Sequence, residues 1–260
     1  MTKDKLTEQH YWNDYWENLS LPSEIKKNKG NYYLNDILEV FDKYLPQDPN
    51  LSILEIGGSP GQYLAYLYRS FGYKIHCLDY SEIGCLKTEA NFRLLNIPCK
   101  IFKTDLFSEE TNLPLFDIVY SLGFIEHFLD TDLVIEKHLK FLKKGGLLLI
   151  GLPNFTGINY LFLKVLAPEL LLKHNLKVMD IVSWKSFEQK SNLQTVFKEY
   201  VGGFEPSVFN RREKKTLNTF ILKAMAKLFS ILLSNHFKFL RKHNSKYFSG
   251  YVMGVYKKSL

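Results

Sequence analysis

From residue 46 to residue 152 the chain alternates short, nearly continuous apolar runs with longer stretches whose apolar positions recur every three or four residues. The short runs predict strands at 51–56, 74–79, 99–103, 115–122 and 146–151, and the periodic stretches predict helices at 62–71, 82–95 and 130–143. Such alternation builds a mainly parallel sheet with helices on both faces. Gly145-Gly146 after Lys143-Lys144 reads as a helix stop with cations in the last turn. Before this core, residues 1–20 read as a helix carrying Tyr11, Trp12, Tyr15 and Trp16, and a second helix runs to Leu45-Pro46. Beyond Pro153 the pattern loosens. It suggests an apolar segment at 158–172 broken by Pro168, a helix at 179–189, a strand at 193–201, a long apolar and basic helix at 216–240, and a closing strand at 247–256.

Within that pattern Leu51–Gly61, LSILEIGGSPG, joins a buried strand to a helix through a Gly/Ser/Pro turn. Gly57 and Gly61 lack a Cβ, so the chain can turn sharply there and let a ligand touch its backbone. Glu55 falls at the strand's C-terminal end, where open parallel sheets bind ligands. Gly57-Gly58-Ser59-Pro60-Gly61 also spells G-x-S-x-G, the hydrolase nucleophile elbow. That elbow needs the N–H of the residue after the serine, and Pro60 has none. A nicotinamide-type G-x-G-x-x-G is absent too, because positions 59 and 62 are serine and glutamine.

The order Glu55-x-Gly57-x-Ser59-x-Gly61 resembles the first motif of class I S-adenosylmethionine-dependent methyltransferases, with Ser59 in place of the middle glycine. The likeness implies a three-layer α/β sandwich on a seven-stranded sheet whose last strand is antiparallel. It also implies S-adenosyl-L-methionine as cofactor, held by Glu55, Gly57, Gly58, Ser59, Gly61, Asp79, Tyr80, Asp105, Leu106 and Leu122. In that family the carboxylate near the first strand meets the cofactor's amino group. Asp79, eighteen residues past Gly61, stands where ribose hydroxyls are bound, and Asp105-Leu106 stands where adenine is read.

The segment after the fourth strand, Gly123-Phe124-Ile125-Glu126-His127, resembles that of small-molecule and ubiquinone-type O-methyltransferases, which carry E-x-x-E-H there. Gly123 replaces the first glutamate, so the implied carboxylate pair for a divalent ion is incomplete and no metal is assigned. His127, with Glu126 beside it, is the candidate general base for a hydroxyl proton. The competing reading is that both residues merely begin a helix and hold a loop. No D/N-P-P-Y/F follows the fourth strand and Pro98-Cys99 lies far from it, which argues against nucleic-acid methylation. Pro153-Asn154 and Pro168-Glu169…His174-Asn175 resemble segments of methyltransferases from glycan and lipid clusters. In related enzymes an N-terminal aromatic helix closes over the cofactor, which makes Tyr11 and Trp16 candidate contacts.

Length and composition fit one domain. Within its 260 residues, 1–45 form a helical cap, 46–152 the cofactor core, and 153–192 and 205–245 helical insertions. Three cysteines without a CxxC and no apolar leader suggest a reducing cytoplasm. The net charge of +7 is confined to the end of the chain: after Glu213 there are ten basic and no acidic residues, whereas residues 1–213 carry 24 basic against 27 acidic. The apolar, basic segment 214–243 is either a lid over the substrate or a peripheral contact with the inner face of a membrane. The expected activity is O-methylation of a small or lipid- or glycan-linked acceptor. The alternatives are a nicotinamide-dependent oxidoreductase and a non-catalytic membrane module.

Overall fold

The computed structural model describes residues 5–28, 31–109, 111–205, 220–221, 223–225, 227–228 and 244–259. Two helices, α1 (Gln9–Glu17) and α2 (Tyr32–Tyr44), precede an alternation of β1 (Ser52–Ile56), α3 (Gln62–Phe71), β2 (Lys74–Asp79), α4 (Glu82–Leu95), β3 (Lys100–Lys103), β4 (Phe116–Leu122), α5 (Thr131–Lys140) and β5 (Leu142–Pro153). Three short helices follow, α6 (Gly157–Leu166), α7 (Pro168–Leu172) and α8 (Lys185–Lys190), before β6 (Leu193–Val201) and β7 (Tyr251–Lys258).

The strands form one sheet in the order β3-β2-β1-β4-β5-β7-β6. β7 runs antiparallel to both β5 and β6, and the remaining pairs are parallel. This is the seven-stranded sandwich expected from the sequence. The connections reverse direction between β1 and β4, which opens a crevice at the C-terminal ends of these strands. Side chains alternate across β1. Ile53 joins Ile37, Phe41, Leu64 and Leu67 under α2 and α3, whereas Leu54 and Ile56 join Val134 and Ile135 under α5. Burial on both faces accounts for the nearly continuous apolar strands.

Gly145-Gly146 is not a helix stop. α5 ends at Lys140, and the two glycines lie within β5, where the pairing jumps from Phe116↔Leu142 to Ile118↔Leu147. Gly145 has φ +72°, and a Cβ on Gly146 would stand 2.8 Å from the Asp117 carbonyl oxygen, so this bulge needs two glycines. The expected helix at 179–189 is divided: a 3-10 turn covers Leu176–Met179 and α8 begins only at Lys185. The closing strand starts at Tyr251, because Asn154 and Asn159 donate to backbone carbonyls of Lys246 and Ser249 and hold 244–250 as a turn. Most of the expected helix at 216–240 lies outside the described residues. Where it is described it is helical, and Phe220, Ile221, Met225 and Leu228 are exposed rather than buried. Among the described residues no helix is long and apolar enough to cross a membrane.

Candidate active site

The turn after β1 brings its functional groups together by close packing. Gly57 has φ +68°, its N–H donates to the Leu78 carbonyl at 2.8 Å, and a Cβ there would lie 2.4 Å from the Phe124 ring. A Cβ on Gly58 would lie 2.5 Å from Glu55 Cγ, so the turn leaves room for that carboxyl alone. Glu55 is buried, and its Oε2 has no hydrogen-bond partner. Burial, opposed by the nearby Tyr120 hydroxyl and reinforced by the charge of Asp79, pushes its pKa from the ordinary 4.5 up to about 8. Ser59, which replaces a motif glycine, is buried and accepts a bond from Thr88 Oγ1 at 3.1 Å. Gly61 caps α3 at φ +83° and packs under Phe92.

Asp79 ends β2. Its Oδ1 accepts the Ser81 N–H at 2.8 Å, and Ser81 Oγ in turn accepts the Gly84 N–H to cap α4. Burial raises the Asp79 pKa, partly opposed by hydrogen bonds from Ser81 and Ser59. Past β3, Asp105 accepts the Phe107 N–H at 3.0 Å while Leu106 is buried. The N-terminal strap crosses this edge. Lys5 Nζ lies 2.9 Å from Asp105 Oδ2 and 4.9 Å from the centroid of the Tyr80 ring, and Gln9 Nε2 donates to the Tyr80 carbonyl at 3.1 Å.

After β4 the chain turns at Gly123 (φ +67°) into a 3-10 turn, Ile125–His127. Glu126 and His127 are both buried, with Glu126 Oε1 4.0 Å from His127 Nε2. Burial pushes Glu126 up to about 8, whereas burial together with nearby His174 pushes His127 down to about 3. The loop after α7 clamps this turn. His127 Nδ1 donates to the Lys173 carbonyl at 2.9 Å, and the Asn175 N–H donates to the Glu126 carbonyl at 2.6 Å. The His127 and His174 rings are 4.5 Å apart.

These groups line one cavity of about 440 Å³. Glu55, Gly57, Gly58, Ser59, Asp79, Tyr80, Asp105, Leu106, Leu122, Glu126 and His127 all face it, as do Tyr11 and Trp16. Gly61 does not; it serves the packing of α3 on Phe92. Sequence reasoning left out Tyr63, Phe124, His174 and Tyr251, which also line the cavity. Phe124 and His174 had signals, in the segments Gly123-Phe124-Ile125-Glu126-His127 and Pro168-Glu169…His174-Asn175.

A family described as "Methyltransferase domain" matches residues 27–200. The chain belongs to this methyltransferase family. A ubiquinone biosynthesis O-methyltransferase of Pelagibacter ubique (strain HTCC1062) is 27% identical over 180 residues, 68% of this chain and 71% of that protein. The geranyl diphosphate C-methyltransferase of Streptomyces coelicolor A3(2), solved with Mg2+, geranyl diphosphate and S-adenosyl-L-homocysteine, has a TM-score of 0.59 at 12% identity, covering 96% of this chain and 98% of that one. The phosphoethanolamine N-methyltransferase 2 of Haemonchus contortus, solved with S-adenosyl-L-methionine, has a TM-score of 0.57 at 16% identity, covering 86% of this chain and 52% of that one. At these identities the two solved structures share the fold with this chain.

The methyltransferase takes S-adenosylmethionine as its cofactor, and its cavity fits that molecule. A cationic amino group needs a buried carboxylate, and the Glu55 oxygen is buried and unpartnered. A nucleoside needs close backbone approach beside the strand ends, and Gly57 and Gly58 line the cavity without side chains of their own, the Phe124 ring and the Glu55 carboxyl occupying the space that their Cβ atoms would take. The nicotinamide reading of the motif falls with this assignment.

Proposed function

We propose that this methyltransferase methylates an oxygen of a hydroxyl-bearing acceptor, either a small molecule or one linked to a lipid or glycan. One observation carries the reading. Glu126 Oε2 is buried beside the cavity with no hydrogen-bond partner, and an acceptor O–H supplies the donor that oxygen lacks. In this reading Glu55 meets the cofactor's amino group, Asp79 its ribose hydroxyls, and Tyr80, Asp105 and Leu106 its adenine. Leu122 and the turn at Gly57–Ser59 shape the floor between them. The cofactor supplies an activated methyl group on a sulfonium. The chain's own residues have three tasks: to align the acceptor oxygen, to keep water out, and to receive its proton at Glu126, since burial holds the neighbouring His127 neutral.

The exposed apolar positions of 220–228, among which every charged residue is a lysine, support an acceptor presented at a membrane surface in the cytoplasm. The test uses methyl-labelled S-adenosylmethionine with a panel of phenols, sugars and amines. Label recovered in an ether, and a Glu126→Gln variant slowed by about 10²–10⁴ in kcat at unchanged cofactor affinity, support the proposal. Label recovered on nitrogen or carbon, or a Glu126→Gln variant with normal turnover, overturns it.

A further inference from the structure

Three groups able to bind a metal ion converge at the acceptor end of the cavity. Glu126 and His127 come from the turn after β4 and His174 from the loop after α7. One donor atom from each lies within 4.8 Å of the others. The family's E-x-x-E-H motif is broken here by Gly123, so the third donor reaches the site from a different part of the chain.

The two imidazoles are oriented as metal-binding imidazoles are. His127 Nδ1 lies 2.9 Å from the Lys173 carbonyl oxygen and His174 Nδ1 lies 2.6 Å from that of Leu170. A carbonyl only accepts, so both Nδ1 atoms carry the proton and both lone pairs sit on Nε2. Backbone carbonyls are common outer partners of metal-bound histidines and fix both tautomer and ring direction. The carboxylate completes the set, since Glu126 Oε2 is buried without a hydrogen-bond partner. Two bonds from Asn175, its N–H to the Glu126 carbonyl and its Nδ2 to the Phe128 carbonyl at 2.9 Å, hold the two segments in register. The spacing between His174 and Glu126 is therefore set before any ion arrives.

We infer that Glu126, His127 and His174 form a site for one divalent transition-metal ion. Two imidazoles and one carboxylate suit zinc, cobalt, manganese or iron, whereas magnesium and calcium prefer oxygen donors. Three protein ligands leave a coordination position open toward the cavity. A hydroxyl placed there is acidified: its O–H bond breaks, the proton passes to the Glu126 carboxylate oxygen that does not ligate the ion, and the electron pair stays on the hydroxyl oxygen, ready to attack carbon. That role rests on the hydroxyl reading proposed above, and the metal site does not.

The test titrates chelator-stripped protein with Zn2+, Co2+ and Mg2+ by calorimetry and records the visible spectrum of the Co2+ form. The expected result is one Zn2+ or Co2+ per chain, visible Co2+ d–d bands, and Mg2+ bound at least about tenfold more weakly. His174→Ala and Glu126→Gln weaken Zn2+ by more than the roughly tenfold that loss of an outer partner costs. Both variants retain cooperative thermal unfolding and wild-type affinity for S-adenosylmethionine. Absence of Co2+ bands from the wild-type protein, Zn2+ affinity unchanged in both variants, or Mg2+ bound as tightly as Zn2+ overturns the site. Metal binding in a protein that transfers methyl only to nitrogen leaves the site standing and removes the hydroxyl reading. O-methylation by protein that binds no metal does the reverse.

Discussion

The indole of Trp12 stands edge-on to the imidazole of His127, with ring centroids 4.9 Å apart and planes at 85°. This contact joins α1 to the turn after β4, and the Leu6 N–H, which donates to the His127 carbonyl at 2.8 Å, makes a second join. Tyr11 takes part as well, with Lys173 Nζ 4.1 Å from its ring centroid. The aromatic helix therefore closes the cavity directly over the Ile125–His127 turn.

Tryptophan fluorescence reads that closure. Trp12 and Trp16 line the cavity, whereas Trp184 is fully buried elsewhere, with its Nε1–H donating to the Val178 carbonyl. S-adenosylmethionine is expected to change the emission of the wild-type protein, and a Trp12→Phe/Trp16→Phe variant is expected to lose that change while keeping the Trp184 signal. A ligand-dependent change that survives in the double variant would place the cofactor away from α1.

With Glu55 as the partner of the amino group, cofactor binding is expected to depend on pH. The empty site holds this carboxyl protonated below about pH 8, whereas a cationic amino group selects the carboxylate. Binding therefore expels a proton, so affinity rises by up to about tenfold per pH unit below 8 and falls again above it, where the free amino group loses its own proton. Stability of the empty protein runs the other way. A carboxyl held above its ordinary 4.5 stabilises the fold fully below that value, and the contribution is lost as pH rises through about 8. Calorimetry between pH 6 and 9 checks both trends, and Glu55→Gln should flatten them. A wild-type affinity independent of pH would remove Glu55 from the amino-group site.

Much of this was legible in the chain because apolar period tracks burial. α3, β2, α4 and β6 occupy 62–71, 74–79, 82–95 and 193–201 as the pattern predicts. Gly145-Gly146 misled because cations followed by glycines mark both a helix end and a glycine bulge, and only pairing with Phe116 and Ile118 distinguishes them. His174 could not be placed from sequence. Its partners Glu126 and His127 lie on another segment, and the contact exists only once Asn175 has clamped the loop. Ser59 departs from the glycine pattern without cost, since its hydroxyl joins Thr88 in the support beneath Asp79.

The glycines of the motif separate binding from folding. A Cβ on Gly58 would lie 2.6 Å from Glu55 Oε2, so Gly58→Ala displaces the carboxyl and is expected to weaken S-adenosylmethionine by about 1.5–3 kcal/mol, the worth of a hydrogen bond to a charged group. A Cβ on Gly61 would meet Phe92 at 2.5 Å with φ at +83°, away from the cavity. Gly61→Ala should therefore lower the unfolding temperature by a similar free energy and leave the affinity of the folded fraction unchanged. Denaturant melts paired with calorimetry decide it, and equal loss of affinity in both variants would contradict the division.

Membrane contact is the last property open to measurement, and its physics gives a signed result. Phe220, Ile221, Met225 and Leu228 are exposed on a helical stretch that includes Lys223 and Lys227, and the chain beyond Glu213 holds ten basic residues and no acidic one. Apolar side chains without basic ones would bind neutral and anionic bilayers alike. Basic residues contribute about 1 kcal/mol each near an anionic surface, and that attraction falls with ionic strength. Co-sedimentation with phosphatidylserine-containing vesicles is therefore expected at low salt, with release as salt rises and little binding to neutral vesicles. Lys223→Glu/Lys227→Glu should reduce binding to the anionic vesicles by more than tenfold, since reversing two charges removes about 2 kcal/mol of attraction and adds repulsion. Absence of sedimentation at low salt would leave a soluble acceptor as the substrate to seek.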